Sequence, residues 1–167
     1  SQNVTVNIED NDPPVITGCP GNLSVNTSPG ACSATVSWTP PVSTAPMTST
    51  HLPGSVFASG VTTVTYTSTD ADGMVSTCSF TVTVTDAEMP VVNCKNITVN
   101  LDASGNATIA PSDVLVSAPA DNCAIAGVTL SRSAFTCADL GPVTVTVTAT
   151  DASGNAASCD AVVTIAD

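Results

Sequence analysis

Long stretches of this chain alternate between apolar and polar residues with a period of two. The clearest run spans residues 62–86. Val64 and Tyr66 share one face, an acidic turn follows at Asp70-Ala71-Asp72-Gly73, and Phe80, Val82 and Val84 share a face beyond it. Alternation of this kind buries one side of a strand and leaves the other in water. The run therefore predicts a hairpin, with Cys78 at the start of its second strand. The pattern recurs: residues 143–150 alternate, Asp151-Ala152-Ser153-Gly154-Asn155 turns the chain, and Cys159 opens a strand through Ile165.

The same rule sets the earlier strands. Leu23, Val25 and Thr27 share a face opposite Asn22, Ser24 and Asn26, and Ser28-Pro29-Gly30 turns the chain. Ala34, Val36 and Trp38 then alternate inward until Pro40-Pro41, and residues 42–60 are weakly patterned. In the second half, Asn96-Ile97-Thr98-Val99-Asn100 copies Asn22-Leu23-Ser24-Val25-Asn26. Residues 3–10 match residues 79–86 and 160–167, and the copies close on Asp10, Asp86 and Asp167 at a nearly constant spacing. That period suits a small β-sandwich. The expected organisation is an orphan strand at 1–10, a module at 11–86 and a second module at 87–167. The orphan strand either ends a preceding module or pairs with another chain.

Composition narrows the picture. Thr and Val dominate, which favours pleated, half-buried surfaces and an all-β fold. Aromatic residues make up only 3% of the chain, so each small core buries little area and staples are expected. Net charge is -12, with Lys95 and Arg132 the only fixed cations. A phosphate backbone or an anionic lipid surface needs clustered basic residues, so nucleic-acid binding and attraction to such membranes are both disfavoured. No apolar run reaches the length of a membrane span. Seven widely spaced cysteines, none in zinc-ligand spacing, point to disulfides and an oxidising compartment. The reading is of a piece of a longer secreted or cell-surface protein.

Several residues together carry a family resemblance. Cys19-Pro20, Trp38-Thr39-Pro40-Pro41, the run Phe57-Ala58-Ser59-Gly60-Val61-Thr62-Thr63-Val64-Thr65-Tyr66, and Thr77-Cys78-Ser79-Phe80-Thr81-Val82 resemble the hyalin repeat (HYR) family. The second module is similar to a divergent HYR-like form. Module one has Ser43-Thr44-Ala45-Pro46 where the family carries Asp-Asn; module two keeps Asp121-Asn122-Cys123. The resemblance implies immunoglobulin-like sandwiches used in extracellular adhesion and matrix proteins. The fold class is thus two tandem immunoglobulin-like β-sandwiches stapled by disulfides, preceded by an extra N-terminal strand.

In a sandwich whose first and last strands run parallel, both strands begin at one end of the module. Cys19 and Cys78 occupy such beginnings, as do Cys94 and Cys159. The expected bridges are Cys19–Cys78 and Cys94–Cys159, with Cys123–Cys137 closing a local loop. Cys32 is left unpaired, either as a buried thiol or as a link to another chain.

Acidic residues gather where this fold would bring them together. Asp70 and Asp72 are expected near Asp10 and Asp12, and Asp151, with Ser153 and Asn155, near Asp86 and Glu88. Calcium binds oxygen-rich sites of this kind between extracellular modules. The linker Glu9-Asp10-Asn11-Asp12-Pro13 is similar to cadherin calcium linkers. Calcium is accordingly the candidate cofactor. The alternative is that Asp and Gly simply make good turns. Five sequons mark Asn3, Asn22, Asn26, Asn96 and Asn106 as glycan acceptors, all expected to face solvent. His51, the sole histidine, has no partner group, so nucleophilic catalysis has no support and the chain reads as a non-enzyme.

Function follows from this set. The first expectation is an extracellular structural and adhesive segment, a stiff modular spacer with glycan-bearing outer faces. Its partners are other copies or neighbouring modules of the same protein, or an extracellular protein or glycan ligand. The alternatives are a filament subunit joined by strand addition through residues 3–10, and a carbohydrate- or receptor-binding accessory module of a secreted protein.

Overall fold

The computed structural model describes residues 11–167, and the orphan-strand expectation for residues 1–10 lies outside the described residues. Alternating Val and Thr runs form strands, Gly and Pro clusters break them, and the described chain is all-β apart from two single 3₁₀ turns. It divides into two units.

The first unit takes in the described residues up to Ser28 and then Ser33–Thr85. Its strands are β1 (Ile16–Thr17), β2 (Leu23–Asn26), β3 (Ser33–Val36), β4 (Val42–Ser43), β5 (Met47–Ser49), β6 (Ser55–Ala58), β7 (Gly60–Thr69) and β8 (Val75–Thr85). The main sheet has the order β2-β8-β7-β5, and β3 pairs with β6 separately. The weakly patterned residues 42–60 contain three of these strands. They are too short, at two to four residues, to show a period. In the β7–β8 hairpin Val64 lies opposite Phe80 and Tyr66 opposite Cys78. Val64, Tyr66, Phe80, Val82 and Val84 are buried with Ala34, Val36 and Phe57. Trp38 packs edge-on to Phe80, and its indole N–H donates to the Tyr66 hydroxyl at 2.8 Å, so the two polar aromatic groups satisfy each other at the margin of the core.

The second unit comprises Pro29–Cys32 and Asp86–Asp167. Its strands are β9 (Ile97–Asn100), β10 (Asn106–Thr108), β11 (Ile125–Leu130), β12 (Ala134–Thr136), β13 (Gly141–Asp151) and β14 (Ala156–Ala166). The sheet β11-β13-β14-β9 packs Val145, Val147, Ala161, Val163 and Ile165 against Ile109, Val114, Leu115 and Phe135. Phe135, 1% exposed, supplies the aromatic bulk that four aromatic side chains share in the first unit.

Both units use one strand arrangement. β2 runs parallel to β8, pairing Leu23 with Val82 and Val25 with Val84. β9 runs parallel to β14, pairing Ile97 with Val163 and Val99 with Ile165. An asparagine begins each pairing: Asn22 Oδ1 accepts the Thr81 N–H at 2.9 Å, and Asn96 Oδ1 accepts the Val162 N–H at 2.8 Å.

Candidate functional site

Three turns share one local solution. Asp70-Ala71-Asp72-Gly73-Met74, Asp102-Ala103-Ser104-Gly105-Asn106 and Asp151-Ala152-Ser153-Gly154-Asn155 each open on aspartate and carry glycine fourth. In each, the aspartate Oδ1 accepts the amides two and four residues on. The distances are 3.0 and 2.8 Å at Asp70, 2.8 and 3.0 Å at Asp102, and 2.9 and 2.7 Å at Asp151. The glycines take φ of +86°, +73° and +92°, a region that disfavours any side chain. The short carboxylate thus replaces a backbone acceptor that the turn lacks.

In the second unit the Asp151 turn is tied to residues 86–88. Asn155 Nδ2 donates to Asp151 Oδ2 at 2.8 Å and to the Asp86 carbonyl at 3.2 Å. Ser153 Oγ donates to Asp86 Oδ2 at 3.4 Å. Asp86 Oδ1 accepts the Glu88 N–H at 3.2 Å and Asn122 Nδ2 at 3.1 Å. Glu88 Oε1 accepts the N–H of Gly30 in the same unit at 2.9 Å. Asp86 and Asp151 are only 3% and 2% exposed. Burial is the strongest single influence on the Asp151 carboxyl and opposes its charge. The hydrogen bonds from the Asn155 side chain and from the amides of Asn155, Ser153 and Gly154 outweigh it, holding the carboxyl below its ordinary value of 3.8.

Asp86, Asp121 and Cys123 each bring a possible ligand atom within 4.8 Å of the others. The Cys123 sulfur is committed to a disulfide, which leaves two carboxylates. Asp121 Oδ2 accepts the Cys123 N–H at 2.9 Å, while Asp121 Oδ1 is buried with no hydrogen-bond partner among the described residues. Calcium takes about six to eight oxygens, and a cation at Asp86 or Asp151 would compete with the N–H and O–H donors already bound there. The donor set is thus a partial fit, with Asp121 Oδ1 as an open acceptor. In the first unit Asp12 and Asp72 are exposed, Asp70 is half-buried, and Asp10 lies outside the described residues. Asp121 and Asn122 were not among the expected ligands. The Asp121-Asn122-Cys123 motif was their only signal, and it carried no indication of burial.

The disulfides are Cys19–Cys78, Cys94–Cys159 and Cys32–Cys123, with Cα–Cα distances of 6.0, 5.7 and 4.6 Å. The expectation of a Cys123–Cys137 bridge with an unpaired Cys32 is therefore corrected. Cys123 stands just before β11, which pairs with β13, whereas Cys137 follows β12, which pairs with β10 in another sheet. Cys137 is an exposed free thiol in a 3₁₀ turn, its Sγ lying 3.6 Å from the Gly105 carbonyl. Asp139 caps that turn. The Arg132 guanidinium, followed by the Thr136 amide, holds its carboxyl below the ordinary 3.8. Cys32 sits in a tight turn closed by a 2.7 Å bond from the Ser28 N–H to the Ser33 carbonyl.

Of the sequon asparagines, Asn22, Asn26, Asn96 and Asn106 are exposed, and Asn3 lies outside the described residues. Asn22 and Asn96 use only Oδ1 in their strand contacts, whereas the Asn106 Nδ2 donates to the Ser104 carbonyl at 3.1 Å. His51 stacks on Phe57 at a centroid distance of 5.0 Å and contacts the Thr50 hydroxyl, an arrangement that packs a loop. Among the described residues no helix is long and apolar enough to cross a membrane.

Comparison with known proteins agrees with the resemblance read from the sequence of the first module. Residues 9–84 match the HYR domain model. Over 74 residues the chain is 45% identical to Hyalin from Lytechinus variegatus, a match covering 40% of this chain and 14% of that protein. Among solved structures the chain is similar to human mucin-like protocadherin EC1-2, at 13% identity over 91% of this chain and 97% of that one, with a TM-score of 0.42. It is also similar to the protocadherin GammaB4 extracellular domain, at 15% identity over 97% of this chain and 33% of that one, with a TM-score of 0.40.

Proposed function

We propose that this segment, whose residues 9–84 match the HYR domain model, is an extracellular, adhesion-type spacer whose modules carry the chain in series. One observation supports the reading most directly: in each unit the first and last main-sheet strands are parallel. The chain therefore enters each sandwich at one end and leaves at the other. In the first unit it arrives at Cys19, bridged to Cys78, and departs beyond Thr85, which pairs with Asn26. In the second it arrives at Cys94, bridged to Cys159, and departs beyond Ala166, which pairs with Asn100. A module built this way advances the chain by its own length, as a spacer must. The exposed sequon asparagines and Thr-rich outer faces leave room for glycans and for contacts with neighbouring modules or extracellular ligands.

Small-angle X-ray scattering with light scattering tests the proposal. An elongated monomer is expected. Ordered polymers would replace the spacer with a filament assembled by strand addition, and selective glycan-array binding would favour the carbohydrate-binding role.

A calcium-linked version of the spacer rests on the open Asp121 Oδ1 beside Asp86. Asp86 and Asp121 would hold the ion, and Asp151 and Glu88 would support them through the contacts described. In that version thermal melts rise with added calcium, fall with chelator, and lose the response in Asp121→Asn. Melts insensitive to both leave Asp86 and Asp151 as hydrogen-bonded turn anchors.

A further inference from the structure

The three disulfides overlap in sequence. One runs from Cys19 to Cys78, the next from Cys32 to Cys123 and the last from Cys94 to Cys159. Every peptide bond between Cys19 and Cys159 therefore lies inside at least one covalent loop. The bridges within each sandwich leave a single gap, from Cys78 through the end of β8 to Cys94, and the junction of the two units falls inside it. Cys32–Cys123 spans that gap.

We propose that these bridges make the segment a cleavage-tolerant, tension-bearing strap, with Cys32–Cys123 as its reserve path across the linker. The inference deepens the spacer reading and rests on it for its extracellular setting. Two consequences follow from connectivity alone. A single backbone cut anywhere from Cys19 to Cys159 leaves one covalent molecule, including a cut at Met89, which is 68% exposed. A pull on the two ends reaches Cys19, crosses to Cys78, follows the chain to Cys94 and crosses to Cys159. The chain inside each of those two loops, with sequence separations of 59 and 65, is shielded from that pull. The stretch outside both loops, from Cys78 to Cys94, is only about 55 Å when fully drawn out, and it includes the end of β8. Should that stretch be broken, the load follows the chain from Cys19 to Cys32, crosses to Cys123 and returns along the chain to Cys94.

Two measurements on the full chain test this. Cyanogen bromide cuts after Met47, Met74 and Met89 in thiol-blocked, unreduced protein. Mass spectrometry should show residues 48–74 released and the other three pieces held together by disulfides. Release of residues 90–167 as a separate piece would overturn the reserve path. In single-molecule pulling between tags fused to the two ends, the oxidised chain should give no unfolding step near the length of a module. Dithiothreitol should add about 200 Å per module. Steps of about 200 Å in the oxidised chain would overturn tension bearing and leave the spacer reading intact. The double variant Cys32→Ser with Cys123→Ser should pull like the parent chain yet split after cyanogen bromide; a variant that remained in one piece would also overturn the reserve path.

Discussion

Asp151 does two things with one carboxylate: it closes the β13–β14 hairpin and holds Asn155 against the Asp86 carbonyl. Its folded pKa lies below 3.8, so the folded chain binds this proton less readily than the unfolded chain. The stabilisation is present above about pH 4 and is lost as pH falls through the lower folded value. Asp151→Asn should therefore flatten the acid limb of the second unit's stability curve, as thermal melts from about pH 5 down to about pH 2 would reveal. Gly105 is a second sensitive residue. A Cβ there would lie 2.5 Å from the Cys137 Sγ, at a φ of +73°. Gly105→Ala should destabilise the protein by about 1–2 kcal/mol from backbone strain alone and displace Cys137. Thiol labelling of the native parent protein should modify one cysteine, Cys137; modification at Cys32 would contradict the pairing.

At the scale of elements, the long hairpins were legible in the sequence because ten- and eleven-residue strands display several periods of alternation. The pairs β3–β6 and β10–β12 were not, because strands of three or four residues show barely one. The pentapeptide at 102–106 is identical to that at 151–155, yet only the latter meets a second acidic residue through its Ser and Asn side chains. The pentapeptide specifies the turn; its place in the fold decides what the turn touches. Packing carries most of the stability of these strands. Val147, fully buried in the second core, should lose about 2–3 kcal/mol on truncation to alanine, measured by urea unfolding. Removing the Cys19–Cys78 bridge, which closes a sequence separation of 59, should cost about 4 kcal/mol in the loop-entropy picture.

On the scale of the whole molecule, sequence periodicity revealed repetition but not how the odd cysteines are shared. Pairing Cys123 with Cys137 follows from proximity along the chain, the only distance a sequence contains. The fold assigns those residues to the ends of strands in different sheets and gives Cys123 to Cys32, at a sequence separation of 91. A turn residue between β2 and β3 offers no pattern from which such a partner can be read. Deglycosylation followed by intact-mass measurement, on material from a glycosylating host, should register sugar at Asn22 or Asn96. Both are exposed with Nδ2 outside the strand contact.

The hydrogen-bonded pair of Trp38 and Tyr66 contains the only tryptophan and the only tyrosine of the chain, and both lie in the first unit. Intrinsic fluorescence and near-ultraviolet absorbance therefore report almost wholly on that unit, while the second, whose described aromatic side chain is Phe135, is nearly dark at those wavelengths. Far-ultraviolet circular dichroism detects both. The difference between the two signals separates the unfolding of one sandwich from that of the other in the untagged, unlabelled protein.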